Sequence, residues 1–207
     1  MATAVETWAG LEEPFLTTEP IEPPLKAVPP PAKLTFEQAN QIAAGRIFEL
    51  IEGRIVYKMP DEKHSHTQGR LCTKLGVYLE ANPIGLLRPE FMLRLWPDNK
   101  HESRMPDVAV ILNENYQEEP YGTRAPDLTI EIVSRHDRWS ALFEKAALYL
   151  EKGSRVVWIV DPYQKGVMVI TATERRWVND TLTCPEVLPG FSINVPDIFS
   201  WPAANTK

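Results

Sequence analysis

Cysteine is nearly absent. Cys72 and Cys184 are the two in the chain, far apart and without a pairing pattern. They exclude a disulfide framework and, lacking closely spaced ligand pairs, a thiolate zinc site. Two reduced thiols in a cytoplasmic protein are the expectation. Long apolar runs are missing too: none approaches the ~20 residues of a membrane span. The first ten residues carry Glu6 and no basic stretch, so no secretory signal is expected. Basic excess is also lacking. Lys and Arg number 22 against 28 Asp and Glu, a net charge of −6. That argues against a general nucleic-acid coat, which shows a basic face. It leaves room for a nuclease, whose acids are neutralised locally by metal. No glycine-rich phosphate loop occurs, no serine or cysteine stands in a nucleophile elbow, and nothing repeats at a fixed period.

Proline, by contrast, is abundant at the start: Pro14, Pro20, Pro23, Pro24, Pro29, Pro30 and Pro31, interleaved with Glu12, Glu13, Glu19 and Glu22. Proline fixes φ and removes backbone donors, so residues 1–33 read as a flexible, polyproline-like arm. A folded domain is expected over 34–201 and a frayed tail over 202–207. Thr35 and Gln38 match a capping box opening a helix that stops near Gly45. Arg46 to Tyr57 reads as a hairpin about Glu52-Gly53. Ser65 and Gln68 suggest a second capping box, with Leu71, Leu75, Tyr78 and Leu79 at helical spacing before Asn82-Pro83. Leu86 to Trp96 reads as a strand pair or a bent strand, since Pro89 disfavours one central strand. Trp139, Phe143, Ala146 and Leu150 form the apolar stripe of a helix over 137–152, ended by Gly153. Val156 to Val160 is a buried strand, and residues 166–172 and 175–179 a hairpin. The order of elements gives an α/β domain with a mixed central sheet flanked by helices.

Two short apolar runs hold the chemistry. Val108 to Leu112 follows Pro106-Asp107. Leu128 to Val133 follows Pro126-Asp127 and carries Glu131 in its middle. Such runs, rich in β-branched residues, read as buried strands. A carboxylate inside one is costly unless paired or bound to a cation. Adjacent strands lie ~4.8 Å apart, so Asp107 and Glu131 can face one divalent cation. Hard Mg²⁺ or Mn²⁺ suits such oxygen ligands, polarises a phosphate and lowers the pKa of bound water. The backbone carbonyl of Ile132 adds a possible ligand, and a lysine ammonium can orient the water. Glu49 reads either as a solvent-facing acid or as part of the same site. His64 and His66 read either as solvated loop histidines or, one of them, as a rim residue. Lys145 lies off the apolar stripe, where a surface lysine is the default.

The stretch from Phe48 to Asp161 resembles the Uma2 family, also described as domain of unknown function 820, which is abundant in cyanobacteria and built on the PD-(D/E)XK restriction-endonuclease-like core. The likeness is carried by the residues from Phe48 to Val56, Met59-Pro60 with His64, Pro106-Asp107, the run from Ala125 to Ser134, Lys145 four before Tyr149, Gly153, and the run from Val157 to Pro162. It implies a metal-dependent deoxyribonuclease with Asp107 and Glu131 as metal ligands, Glu49 as the early acid, His64 rather than His66 at the site, and DNA as partner. The parent motif places lysine two residues after the second acid, where this chain has Val133, and the resemblance assigns that role to Lys145. Arg135-His136 and Ala141 depart from the family pattern beside the site. Those departures keep open a catalytically inactive nuclease fold acting as a binding or scaffold module. A homodimer would suit a two-strand cut, but no stretch marks an interface.

Overall fold

The computed structural model describes residues 32–201. The arm expected over residues 1–33, apart from Ala32 and Lys33, and the expected tail lie outside the described residues.

Helix α1 (Phe36–Ala43) opens on the expected capping box, with Thr35 and Gln38 exchanging side-chain and backbone bonds. Strands β1 (Phe48–Ile51) and β2 (Arg54–Tyr57) form an antiparallel hairpin. Glu52 and Gly53 take φ of 50° and 76°, the primed-turn geometry that matches strand twist. Glycine is required there, because a Cβ would stand 2.5 Å from Lys33 Cβ.

Helix α2 (Glu62–Ala81) starts a turn earlier than the Ser65 cap implies. Asp61 caps it instead, accepting from His64 N–H at 2.9 Å. Ser65 sits inside the first turn, and the Gln68 amide donates away from it to the Asp107 carbonyl at 2.9 Å. His64, Thr67, Leu71, Leu75 and Leu79 make one buried face.

The strands β3 (Gly85–Pro89), β4 (Val108–Leu112) and β5 (Leu128–Ile132) precede helix α3 (Trp139–Glu151). After it come β6 (Val156–Asp161), β7 (Gly166–Ile170) and β8 (Arg175–Val178). They form a six-stranded sheet in the order β3-β4-β5-β6-β7-β8. Only β5 and β6 run parallel, joined through α3, and the other neighbours are antiparallel. The expected mixed α/β core with flanking helices is therefore present. Only the first part of the expected 86–96 strand pair is regular. Pro89 ends edge strand β3, Glu90 turns at φ 49°, and beyond it Leu93 makes single bridges to Arg104 and Gly122. Strands β9 (Thr181–Cys184) and β10 (Leu188–Asn194) and the short helix α4 (Pro196–Phe199) add elements beyond the sequence reading.

Alternation along the strands splits the core between two faces. Leu128, Ile130 and Ile132 join Leu71, Leu75 and Leu79 of α2 on one. Leu142, Ala146 and Tyr149 of α3 pack with Val157 and Ile159 on the other. The buried face of α3 thus runs through Leu142, Ala146 and Tyr149, while Trp139, Phe143 and Leu150 of the expected stripe are only partly buried. Cys72 and Cys184 are free thiols, and burial pushes the Cys184 thiol up to about 12. No described helix is long and apolar enough to cross a membrane.

Candidate active site

Three elements deliver acids to one point. β1 brings Glu49, the lead-in to β4 brings Asp107, and the middle of β5 brings Glu131; all three are buried. Antiparallel pairing of β4 with β5 puts the start of one beside the end of the other. The Asp107 carboxylate consequently accepts from Ile132 N–H at 2.6 Å. Its other oxygen meets the Lys58 ammonium. His64 Nε2 lies 3.1 Å from Asp107 Oδ2, and buried His64 Nδ1 has no hydrogen-bond partner among the described residues. Of the two histidines, His64 is therefore the inward one. His66 is turned away, bonded to the Ser200 carbonyl at 3.0 Å and stacked on Trp201.

Glu131 faces α3. Lys145 and Tyr149, four residues apart, share one side of that helix. Tyr149 Oη donates to Glu131 Oε1 at 2.8 Å. Lys145 Nζ lies 3.3 Å from Glu131 Oε2 and 2.9 Å from Glu49 Oε2. Glu49 Oε1 accepts from Met105 N–H at 3.0 Å. Neither the default surface lysine nor the solvent-facing reading of Glu49 describes these residues. Sequence reasoning missed Lys58, which bonds the Met105 carbonyl at 2.7 Å and lies 4.0 Å from Glu131 Oε2. It also missed the role of Tyr149 as the donor that holds Glu131.

Burial and charge pull these groups in opposite directions. For Asp107, desolvation is outweighed by the Lys58 ammonium and His64, and its carboxyl is held well below the usual range. For Glu131, desolvation outweighs Lys145 and Lys58, and its carboxyl is raised. Burial favours neutral lysines, but Glu131 with Asp107 raises Lys58, and Glu131 with Glu49 raises Lys145. Both ammoniums are firmly charged.

These groups floor a cavity of about 270 Å³, with Val56, Tyr57, Met59, Pro60, Ser134, His136 and Ala141 among its other walls. Among the described residues, no group of three or more His, Cys, Asp or Glu side chains is placed to share a metal ion. The donor chemistry nonetheless fits a hard divalent cation. Asp107, just before β4, and Glu131, in β5, offer carboxylate oxygens that already share one positive charge at Lys58, and Ile132 lines the same cavity.

Comparison with known proteins bears on this arrangement. A family model described as Uma2, putative restriction endonuclease, matches residues 35–196. A solved structure described as a putative nuclease belonging to DUF820, from Anabaena variabilis, superposes with a TM-score of 0.64 at 24% identity, covering 74% of this chain and 90% of the other. At that identity the likeness speaks for the fold. No curated protein matches the chain.

Proposed function

The chain belongs to the Uma2 family, and on that premise we propose that it is a metal-dependent endonuclease that hydrolyses DNA phosphodiester bonds. The observation that supports this most is the convergence of Asp107 and Glu131 with Lys145 on the floor of one cavity. Asp107, Glu131 and the Ile132 carbonyl would hold Mg²⁺ or Mn²⁺. When bound, such a cation polarises a phosphate oxygen and acidifies a water. The other roles belong to the chain itself. Lys145, fixed between Glu49 and Glu131, orients the attacking water and meets the charge that develops on the phosphate. Glu49 positions Lys145. Tyr149 fixes the rotamer of Glu131, and the Ile132 N–H with His64 fixes that of Asp107. Ala141 and Ser134 leave the cavity open for the substrate backbone.

The test is plasmid nicking by the full chain with Mg²⁺ or Mn²⁺. Nicking by the parent that is lost in Asp107→Asn is the expected outcome. A parent that binds DNA but never cuts it, with either metal, overturns the reading. That result would favour the second reading, a nuclease fold kept as a DNA-binding or scaffold module. One observation favours this alternative: both lysines already neutralise the acids that a metal would use.

A further inference from the structure

The two lysines of the site are held very differently. Lys145 rises from the middle of α3 and has carboxylate oxygens of Glu49 and Glu131 within 3.3 Å. Lys58 is the first residue past β2, followed by Met59, which is 85% exposed. Its ammonium rests on one Asp107 oxygen and the Met105 carbonyl, with the nearer Glu131 oxygen 4.0 Å away. Lys58 therefore occupies the gap between the two acids from a chain segment whose next residue faces solvent. It also lines the cavity, so its stem has open space to swing into.

We propose that Lys58 is a place-holding cation which, in the metal-free protein, occupies the position between Asp107 and Glu131, and that it moves out to contact the scissile phosphate when a divalent cation takes that position. The proposal rests on the endonuclease reading and adds a catalytic residue to it. Three carboxylates and two ammoniums carry a net charge of minus one, so buried acids on adjacent strands tolerate one another without metal. Asp107 Oδ2 already accepts from the Ile132 N–H and faces His64, so a dication competes with the Lys58 ammonium for Oδ1, where like charges at contact repel strongly because water is scarce. Entry of metal therefore displaces Lys58 from that oxygen. A four-carbon stem anchored at the cavity wall keeps the freed ammonium within the cavity, where the anionic phosphodiester is the charge that attracts it. No covalent bond is made or broken in the exchange: one cation replaces another on the same carboxylates, and Lys58 gives up its hydrogen bonds to Asp107 and the Met105 carbonyl.

Mn²⁺ titration by calorimetry, without DNA, tests the exchange on the parent, Lys58→Met and Lys145→Met. Lys58→Gln serves as a second variant that keeps a donor for the Met105 carbonyl should the methionine fail to fold. We expect the Lys58 variants to bind Mn²⁺ about tenfold tighter or more than the parent, and more tightly than Lys145→Met. Plasmid cleavage at saturating Mn²⁺ should nonetheless fall by about tenfold or more. Equal or weaker binding by the Lys58 variants, with a parent that binds and cuts, overturns the exchange and leaves the endonuclease reading standing. Tighter binding with undiminished cleavage overturns the catalytic contact. No Mn²⁺ binding by any variant, with no cleavage by the parent, overturns the endonuclease reading and the exchange with it.

Discussion

The chain contains the same device twice. Pro106-Asp107 leads into β4 and Pro126-Asp127 into β5, and because the strands are antiparallel each aspartate lies beside the end of the other strand. Asp107 accepts from Ile132 N–H at 2.6 Å, and Asp127 accepts from Leu112 N–H at 2.9 Å. Both are buried. What differs is the rest of their surroundings. Asp127 takes its other bonds from Asn115 Nδ2 at 2.7 Å and from Arg155, whose Nε lies 3.3 Å away, and it closes the end of the sheet. Asp107 faces Lys58 and His64 on the wall of an open cavity. Burial and local motif are therefore the same at the two acids. What separates them is the company they keep: an amide and a guanidinium at Asp127, an ammonium and an imidazole beside open space at Asp107.

The sharpest way to break this comparison is to neutralise each acid and measure DNA cleavage. Asp107→Asn and Glu131→Gln should each lower the rate by about a hundredfold or more, since each removes a charge from the reacting centre. Asp127→Asn, assayed as folded protein, should cut as the parent does. A comparable loss in Asp127→Asn would mean that the two Pro-Asp sites are not functionally distinct.

Stability should rank them the other way. Asp127→Ala strands a buried backbone N–H, takes the acceptor from the Asn115 amide and leaves Arg155 with Glu114 alone, at a cost of about 3 kcal/mol. Asp107→Ala also strands the Ile132 N–H and leaves buried His64 Nε2 without its carboxylate, but Lys58 can turn to water in the cavity, so the cost should be lower, nearer about 2 kcal/mol. Urea unfolding without metal measures both. A larger loss for Asp107→Ala would show that its partners are as fixed as those of Asp127.

Much of this was legible in the sequence, unevenly. The mixed α/β core follows from apolar strands with Pro-Asp lead-ins and from the helical spacing of Leu71, Leu75 and Leu79. Asp107 and Glu131 stood out because an acid in or at a buried apolar run demands a partner. His64 was within reach: stepping the Leu75–Leu71 face back through Thr67 arrives at it, but the Ser65 capping pattern hid that turn. Lys145 was singled out only by family resemblance, because weighting Trp139 and Phe143 rotated the apparent apolar face of α3 away from Tyr149. Lys58 left no local signal. It lies one residue past a hairpin strand, and its aspartate partner is 49 residues away, so only the folded chain brings them together. The strands of residues 181–194 were missed because they are short, with four residues in β9 and a register shift in their pairing.

Glu131 sharpens the contrast from a third side, with the smallest expected effect. Both aspartates hold a backbone N–H, whereas Glu131 is held by Tyr149 and two lysines. Burial consequently dominates, and its carboxyl is raised above the ordinary 4.5 while that of Asp107 is lowered below 3.8. The folded protein thus holds the Glu131 proton more tightly than the unfolded chain does. That contribution to stability is fully present below about pH 4.5 and is lost as pH rises through the native value. Asp107 acts oppositely: its contribution is present above about pH 3.8 and is lost as pH falls through its lower native value. Without metal, Glu131→Gln should therefore be more stable than the parent at pH 7, with the gap narrowing towards pH 4.5. Asp107→Asn should show no such gain. Added Mn²⁺ should reverse the order at pH 7 by stabilising only the protein that retains both acids. Thermal melts across pH 4 to 8, with and without Mn²⁺, provide the check. A parent that outlasts Glu131→Gln at neutral pH without metal would mean that the lysines and Tyr149 satisfy Glu131 as fully as fixed donors satisfy Asp127.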